Sequence, residues 1–200
     1  ISIFSFYANK QITTGEGGMI TTNNKKFYEQ SKSLRNLCFG KKDRFNHDDI
    51  GWNYRMTNIQ ATLGISQLKR INSIVNKRHE IGKEYFKRLK DNKNIYIPET
   101  KRPYAKNIYW VIAIVIINKN LKIDAKKLMK KLMFYGIQTR PFFWPMHKQK
   151  ILKKKYQINK NSNYKNSEYI SKYGLYLPSG LNIKTTQIRF ICDKVNSILR

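Results

Sequence analysis

A single lysine, Lys10, lies between a short apolar run, Ile1-Ser2-Ile3-Phe4-Ser5-Phe6, and a glycine-rich turn, Thr14-Gly15-Glu16-Gly17-Gly18. Glycines in such a turn let a flat, phosphate-bearing ligand approach the backbone closely. A lysine beside the turn offers an amine. Desolvation and neighbouring cations lower a lysine pKa, and a neutral amine condenses with an aldehyde to a Schiff base. Ser5 and the downstream hydroxyls can hydrogen-bond a phosphate. Taken by itself the pattern stays open, because Lys10 is one of 30 lysines and glycine-rich turns are common. His147, after Pro145-Met146, reads equally as a packed residue or as a ligand contact. Cys38 and Cys192 stand far apart, with no His or Cys at metal-ligand spacing. That excludes a zinc module and a disulfide-stapled fold, and it fits the reducing cytoplasm with no bound metal.

These residues need elements to hold them. Ile1–Phe6 and Gly18–Thr22 read as β-strands flanking the turn, and Lys25–Leu34 as a short helix. Residues 35–56 form a polar, irregular stretch with Arg35, Arg44, His47, Asp48, Asp49, Trp52 and Arg55. A loop of that length in a folded protein is usually functional or mobile. Thr57 with Gln60 is a capping box, and Ala61, Ile65, Leu68, Ile71 and Val75 follow at helical spacing. The helical pattern continues, less regularly, through Ile81, Tyr85 and Leu89. From Asn94 the character changes to a small α+β arrangement. Ile95–Pro98 and Tyr109–Ile117 read as strands, the second buried by its β-branched content. Asp124 caps a helix closed by Gly136, and Ile137–Arg140 is a short strand. Residues 148–166 read as loop and Ser167–Tyr173 as a helix. Leu175–Pro178 is a strand or turn, and an amphipathic helix starts at Thr185 or Thr186. The expected domains are 1–75, a connecting helix over 76–93, and 94–200.

The charge invites a different function. Forty Lys+Arg against 12 Asp+Glu leave a net charge of +28, and clustered cations bind nucleic-acid phosphates. A basic nucleic-acid-binding module is therefore the alternative reading, with Lys148–Lys155 near Tyr156 and Tyr164 as its densest face. Against it, the lysines are spread along the chain, and Lys, Asn and Ile are all in excess, as A/T-rich codons would produce. A solvated surface with salt-sensitive adhesion to polyanions is the favoured outcome. The longest apolar run, Ile108–Ile117, is ten residues, half the roughly 20 that a membrane span requires. No membrane partner and no specific nucleic acid are expected.

Four blocks carry a family resemblance. Ser5-Phe6-Tyr7-Ala8-Asn9-Lys10 with Thr13-Thr14-Gly15-Glu16-Gly17-Gly18 resembles the cofactor-lysine segment of the DegT/StrS-type sugar-nucleotide aminotransferases. His47 through Ala61, then Leu63-Gly64 and Gln67-Leu68, agree in order and distance. So do Thr139-Arg140-Pro141 with Pro145-Met146-His147, and Leu177-Pro178-Ser179-Gly180-Leu181. The resemblance is strongest to members of the GDP-perosamine synthase type. It implies an α/β, aspartate-aminotransferase-like fold (type I), here the back half of the large cofactor domain plus the small α+β domain.

It also implies pyridoxal 5′-phosphate as cofactor and amination of a nucleotide-linked 4-keto-6-deoxy sugar, with glutamate as donor, for surface polysaccharide. By matching position, Lys10 would hold the cofactor and later shuttle a proton as a free amine. Ser5 would bind the cofactor phosphate. Asn53 would reach the phosphate of the neighbouring subunit's site, which implies a homodimer with shared active sites. Arg55 would lie near the same site, and His147 on the substrate side of the cleft. Trp52 stands where the family usually has tyrosine, and His47 reads as loop packing. A family member without transaminase activity generally replaces the lysine, so Lys10 argues against that variant. The family's aspartate for the pyridinium nitrogen lies upstream of the lysine, and the chain opens ten residues before Lys10, as if in mid-strand. The expectation is an incomplete copy, inactive alone and prone to aggregate through open strand edges.

Overall fold

The computed structural model describes residues 1–40, 42–99, 101–156 and 163–200. They form two units, Ile1–Ile74 and Val75–Arg200. In the first, strands β1 (Ser2–Ser5) and β2 (Gly18–Thr21) pair antiparallel, Ser2 opposite Thr21 and Ser5 opposite Gly18. Helix α1 (Lys25–Leu34) starts where the Asn24 side chain accepts from Phe27 N at 3.2 Å. Helix α2 (Asn58–Leu68) opens on the expected capping box. Gln60 N donates to Thr57 Oγ1 at 3.2 Å, and Thr57 N donates to Gln60 Oε1 at 2.9 Å. Between α1 and α2 the chain stays irregular, stitched by isolated bridges Asn36–Asn53 and Phe39–His47.

The continuous helix expected after Thr57 is two helices. α2 ends at Leu68 and α3 (Ile71–Leu89) starts anew. Arg70 N bonds Gln67 O at 2.9 Å, a tightened last turn, and Ser73 Oγ donates to the Arg70 carbonyl at 2.9 Å. Side-chain bonding of this kind offers the backbone an alternative to helix continuation.

After α3 come the short strands β3 (Ile95–Tyr96), β4 (Lys101–Arg102) and β5 (Ala105–Lys106), then β6 (Ile112–Ile116). Helix α4 (Ala125–Phe134) starts where Asp124 Oδ1 accepts from Lys127 N at 2.9 Å, and Gly136 just past its end has φ +73°. Strand β7 (Arg140–Pro141), helices α5 (Lys150–Tyr156) and α6 (Lys165–Tyr173), strand β8 (Gly174–Leu177) and helix α7 (Thr185–Ile198) complete the chain. The order in the sheet is β3-β6-β8-β7, all antiparallel.

Two expectations need correction here. The strand expected over Tyr109–Ile117 is confined to Ile112–Ile116. Tyr109 takes φ +49° so that its ring can lie on Gly82, where any Cβ would strike it. The loop expected over 148–166 contains α5 and the first residues of α6. Lys and Leu favour helix, and α5 exposes its lysines while half-burying Leu152. Residues 157–162 of that loop lie outside the described residues.

The hydrophobic core lies wholly between Ile81 and Leu199: Ile112, Ile114 and Ile116 of β6, Leu128 and Leu132 of α4, and Ile188, Cys192 and Val195 of α7. The alternation along β6 puts its three isoleucines on one face. In the first unit, by contrast, only Thr14, Cys38 and Ile74 are buried among the described residues. Its apolar side chains face outward, Ile3 at 80% exposure and Ile59 at 77%. Burial of a large aliphatic side chain contributes about 1.5–3 kcal/mol, so this unit draws little stability from an apolar interior of its own.

Candidate active site

Lys10 leaves the end of β1 on a turn that its own backbone closes, Lys10 N to Tyr7 O at 3.0 Å. The loop around it is tied crosswise. Phe6 N donates to Gly17 O and Thr14 N to Phe6 O, both at 2.9 Å. Thr13 Oγ1 adds a bond to the Phe6 carbonyl at 2.9 Å, and buried Thr14 donates from Oγ1 to Glu16 O at 2.6 Å. Gly17 has φ +144°, and a Cβ there would come within 2.6 Å of Thr14 Oγ1 and 3.0 Å of the Met56 methyl. Glycine is required at this position for conformation and for space. Met56 also places the segment after Arg55 against the lysine's loop.

Helix α2 holds the same loop from its side. Gln67 Nε2 donates to Thr13 O at 2.6 Å while Thr13 N donates to Gln67 Oε1 at 3.0 Å. Gln60 Nε2 reaches Glu16 O at 3.3 Å. In the sequence Gln60 reads as a cap alone, and Gln67 carries no role of its own. Glutamines on one helix face, seven residues apart, were the available signal.

Ser5, the last residue of β1, is exposed, and its Oγ accepts from Tyr7 N at 3.3 Å. Asn53 and Arg55 are exposed neighbours, Arg55 Nε donating to Asn53 Oδ1 at 3.1 Å. Their segment is sewn to the end of α1 through Trp52 N to Leu34 O at 2.7 Å and Tyr54 N to Arg35 O at 3.0 Å. Below it Gly51 packs on buried Cys38, whose backbone N would lie 2.5 Å from a Cβ at Gly51. His47 is exposed and ties the loop together, with Nδ1 2.6 Å from Leu37 O and its ring against Phe39. Lys10, Ser5, Asn53 and Arg55 thus belong to one unit, and His147 belongs to the other.

His147 sits in a short 3₁₀ turn, Met146–Lys148. Its Nε2 is 2.9 Å from Glu168 Oε1 on α6, and Lys148 Nζ is 2.8 Å from Oε2 of the same carboxylate. Those two contacts hold the Glu168 carboxyl below the usual carboxylate range, the Lys148 hydrogen bond first and His147 second. Nothing in the sequence paired Glu168 with His147. Elsewhere in this unit α3 grips the loop after β8, through Arg78 Nη1 to Ser179 O at 2.5 Å and Tyr85 Oη to Pro178 O at 2.7 Å. Among the described residues no three His, Cys, Asp or Glu gather to hold a metal ion, and no helix is long and apolar enough to cross a membrane.

The chain thus carries a lysine on a glycine-backed loop in one unit and an antiparallel α+β arrangement in the other. Residues 1–196 match the DegT/DnrJ/EryC1/StrS aminotransferase family, and the chain belongs to it. It is 33% identical over 196 residues to the GDP-perosamine synthase of Escherichia coli O157:H7, a match covering 98% of this chain and 51% of that protein. The UDP-4-amino-4,6-dideoxy-N-acetyl-beta-L-altrosamine transaminase of Campylobacter jejuni is 30% identical over 202 residues, covering 100% and 52%. Among solved structures, Helicobacter pylori PseC, an aminotransferase involved in the biosynthesis of pseudoaminic acid, superposes with a TM-score of 0.87 at 28% identity, covering 99% of this chain and 53% of its own. The expected α/β aminotransferase fold is therefore shown. The chain spans about half the length of the curated relatives it matches.

Proposed function

We propose that this chain is the lysine-bearing part of a pyridoxal-phosphate-dependent sugar-nucleotide aminotransferase of the cytoplasm. The reaction turns the ketone of a nucleotide-linked 4-keto-6-deoxy sugar into an amine while glutamate becomes its 2-oxo acid. The proposed use of the product is surface polysaccharide of the O-antigen kind. The single observation that carries the reading is Lys10 itself, on a loop closed by Phe6, Thr13, Thr14 and Gly17 and clamped by Gln67. The names of the relatives support the substrate class.

The donor set suits the cofactor. Lys10 brings an amine and Ser5 a hydroxyl for one site, while Asn53 offers an amide and Arg55 a permanent cation for the site of a second copy. When bound, pyridoxal phosphate supplies the electron sink that lets an amino group pass between two carbon skeletons. Lys10 Nζ would hold the cofactor and, as a free amine, would take and return the migrating proton, a role typically giving about 10²–10⁴-fold in rate. The Ser5 hydroxyl binds the cofactor phosphate, and Asn53 and Arg55 serve the phosphate of a second copy's site. The first unit is proposed as part of the large cofactor domain, α3 as the connector and the remainder as the small domain. His147 contacts the nucleotide sugar.

Borohydride reduction of the full-length protein followed by peptide mass analysis tests this directly. A phosphopyridoxyl group on the peptide containing Lys10 is expected. Label on another lysine, or none, overturns the assignment.

A further inference from the structure

Glu168 serves two cationic neighbours with one carboxylate, His147 at 2.9 Å and Lys148 at 2.8 Å. The His147 side chain is 16% exposed and that of Glu168 40%. Tyr164 lies against the imidazole, ring centroids 4.6 Å apart at 33°. The turn itself is hydrogen-bonded: Lys148 N donates to Pro145 O at 2.9 Å, Gln149 N to Met146 O at 3.0 Å, and Trp144 Nε1 to Lys148 O at 3.2 Å. The imidazole is thus fixed by its own turn, by an aromatic face and by a carboxylate 21 residues away.

An ionised carboxylate can only accept, so the ring nitrogen facing it carries the hydrogen. In the neutral ring that makes Nε2 the donor and leaves the lone pair on Nδ1, which has no hydrogen-bond partner among the described residues. Which nitrogen of a histidine is free to act is set by the bond the other makes. A half-exposed ion pair adds little stability. Locking a ring and its tautomer does not depend on that contribution, because it works through geometry.

We propose that Glu168 is the positioning residue for His147, fixing its ring and its Nε2–H tautomer so that Nδ1 accepts a hydroxyl hydrogen of the nucleotide-linked sugar. The proposal rests on the reading above that His147 contacts that substrate. Lys148, held by the other carboxylate oxygen, keeps Glu168 charged and in place. Lys150, Lys153 and Lys154 of α5, the next element, are exposed lysines that add positive charge nearby.

The test uses the full-length protein and two variants, Glu168→Ala and Glu168→Gln. Comparison with a His147→Asn variant assigns the His147 ring in nitrogen-15 spectra. Wild type is expected to show a slowly exchanging Nε2–H on His147 and an unprotonated Nδ1. Glu168→Ala loses that protected proton, and Glu168→Gln, whose amide oxygen still accepts, keeps it. In steady-state kinetics Glu168→Ala raises KM for the sugar nucleotide about tenfold, the scale of one charge-assisted hydrogen bond. KM for glutamate stays unchanged, and Glu168→Gln recovers most of the loss. An Nδ1–H tautomer in wild type overturns the proposal, as does an equal rise in both KM values or a Gln variant no better than Ala. The ring spectra decide on Glu168 even without turnover, so a failed Lys10 assignment remains distinct from a failed clamp.

Discussion

Gln67 and Thr13 exchange two hydrogen bonds across 54 residues of chain, amide nitrogen to Thr13 carbonyl and Thr13 N–H to amide oxygen. The pair joins a helix that buries none of its residues to the loop that carries Lys10. It satisfies both backbone groups of Thr13 with one side chain, so the loop's shape depends on α2 being folded and present.

Replacing Gln67 with Leu therefore removes both partners of Thr13. Each such bond contributes about 0.5–1.5 kcal/mol, so the loop should open more readily by roughly 1–3 kcal/mol. Hydrogen exchange at Thr13 and Thr14 should accelerate while exchange in β6 and α7 does not change. Equal acceleration in both places would mean that the effect is global and not a property of this clamp.

The proposed sharing of Asn53 between subunits makes a complementation experiment decisive. Lys10→Ala and Asn53→Ala homodimers should each be nearly inactive. A mixed dimer contains one site lacking both groups and one site intact, since each site draws its two residues from different chains. Co-expressed and separated by tag, the mixed species should show about half the wild-type activity per dimer, as one site in two implies. No recovery would place Asn53 in its own chain's site.

Gly82 on α3 is pressed by the Tyr109 ring, so Gly82→Ala must push that ring out of the core's edge. Overpacking of this kind costs about 1–3 kcal/mol. A lower midpoint of thermal unfolding is expected. Gly136→Ala offers an informative contrast: a Cβ there meets nothing, and the penalty would come from its φ of +73° alone.

Glu168 sets a pH dependence with a definite sign. Its carboxyl is held below the ordinary value of 4.5 by its bonds to Lys148 and His147. A depressed carboxylate adds stability that is present above the unfolded-state value and lost as pH falls through the folded-state value. The attachment of the Met146–Lys148 turn to α6 should thus survive to below pH 4.5 and then release. Any difference in melting midpoint between wild type and Glu168→Gln should shrink at the lowest pH. A difference that grows on acidification would contradict the clamp.

Cys192 is buried in the core, and burial, with a lesser push from Asp193 and Glu84, drives its thiol up to about 12 even against the pull of Arg88. The thiolate is the reactive form. A disulfide-exchange reagent at neutral pH should leave Cys192 unmodified until the second unit unfolds. Fast labelling of the native protein would show that α7 is not packed as described.

Local signals in the chain were enough to mark the Lys10 turn, the Thr57 capping box, the Asp124 and Gly136 limits of α4, and the start of α7. Each is written in residues close together in sequence, where glycine, a capping side chain or a 3.6-residue period acts directly on the backbone. The family resemblance came from the same kind of local blocks. Tertiary structure alone decided that Tyr109 turns out of its strand to cover Gly82, that Gln67 clamps Thr13, and that Glu168 takes His147. Those contacts join residues with no periodic relation, and space, not pattern, selects the partner. Lys10 as a chemical group was legible in its own segment. The walls that hold it, and the carboxylate that aims the histidine, exist only once distant parts of the chain have come together.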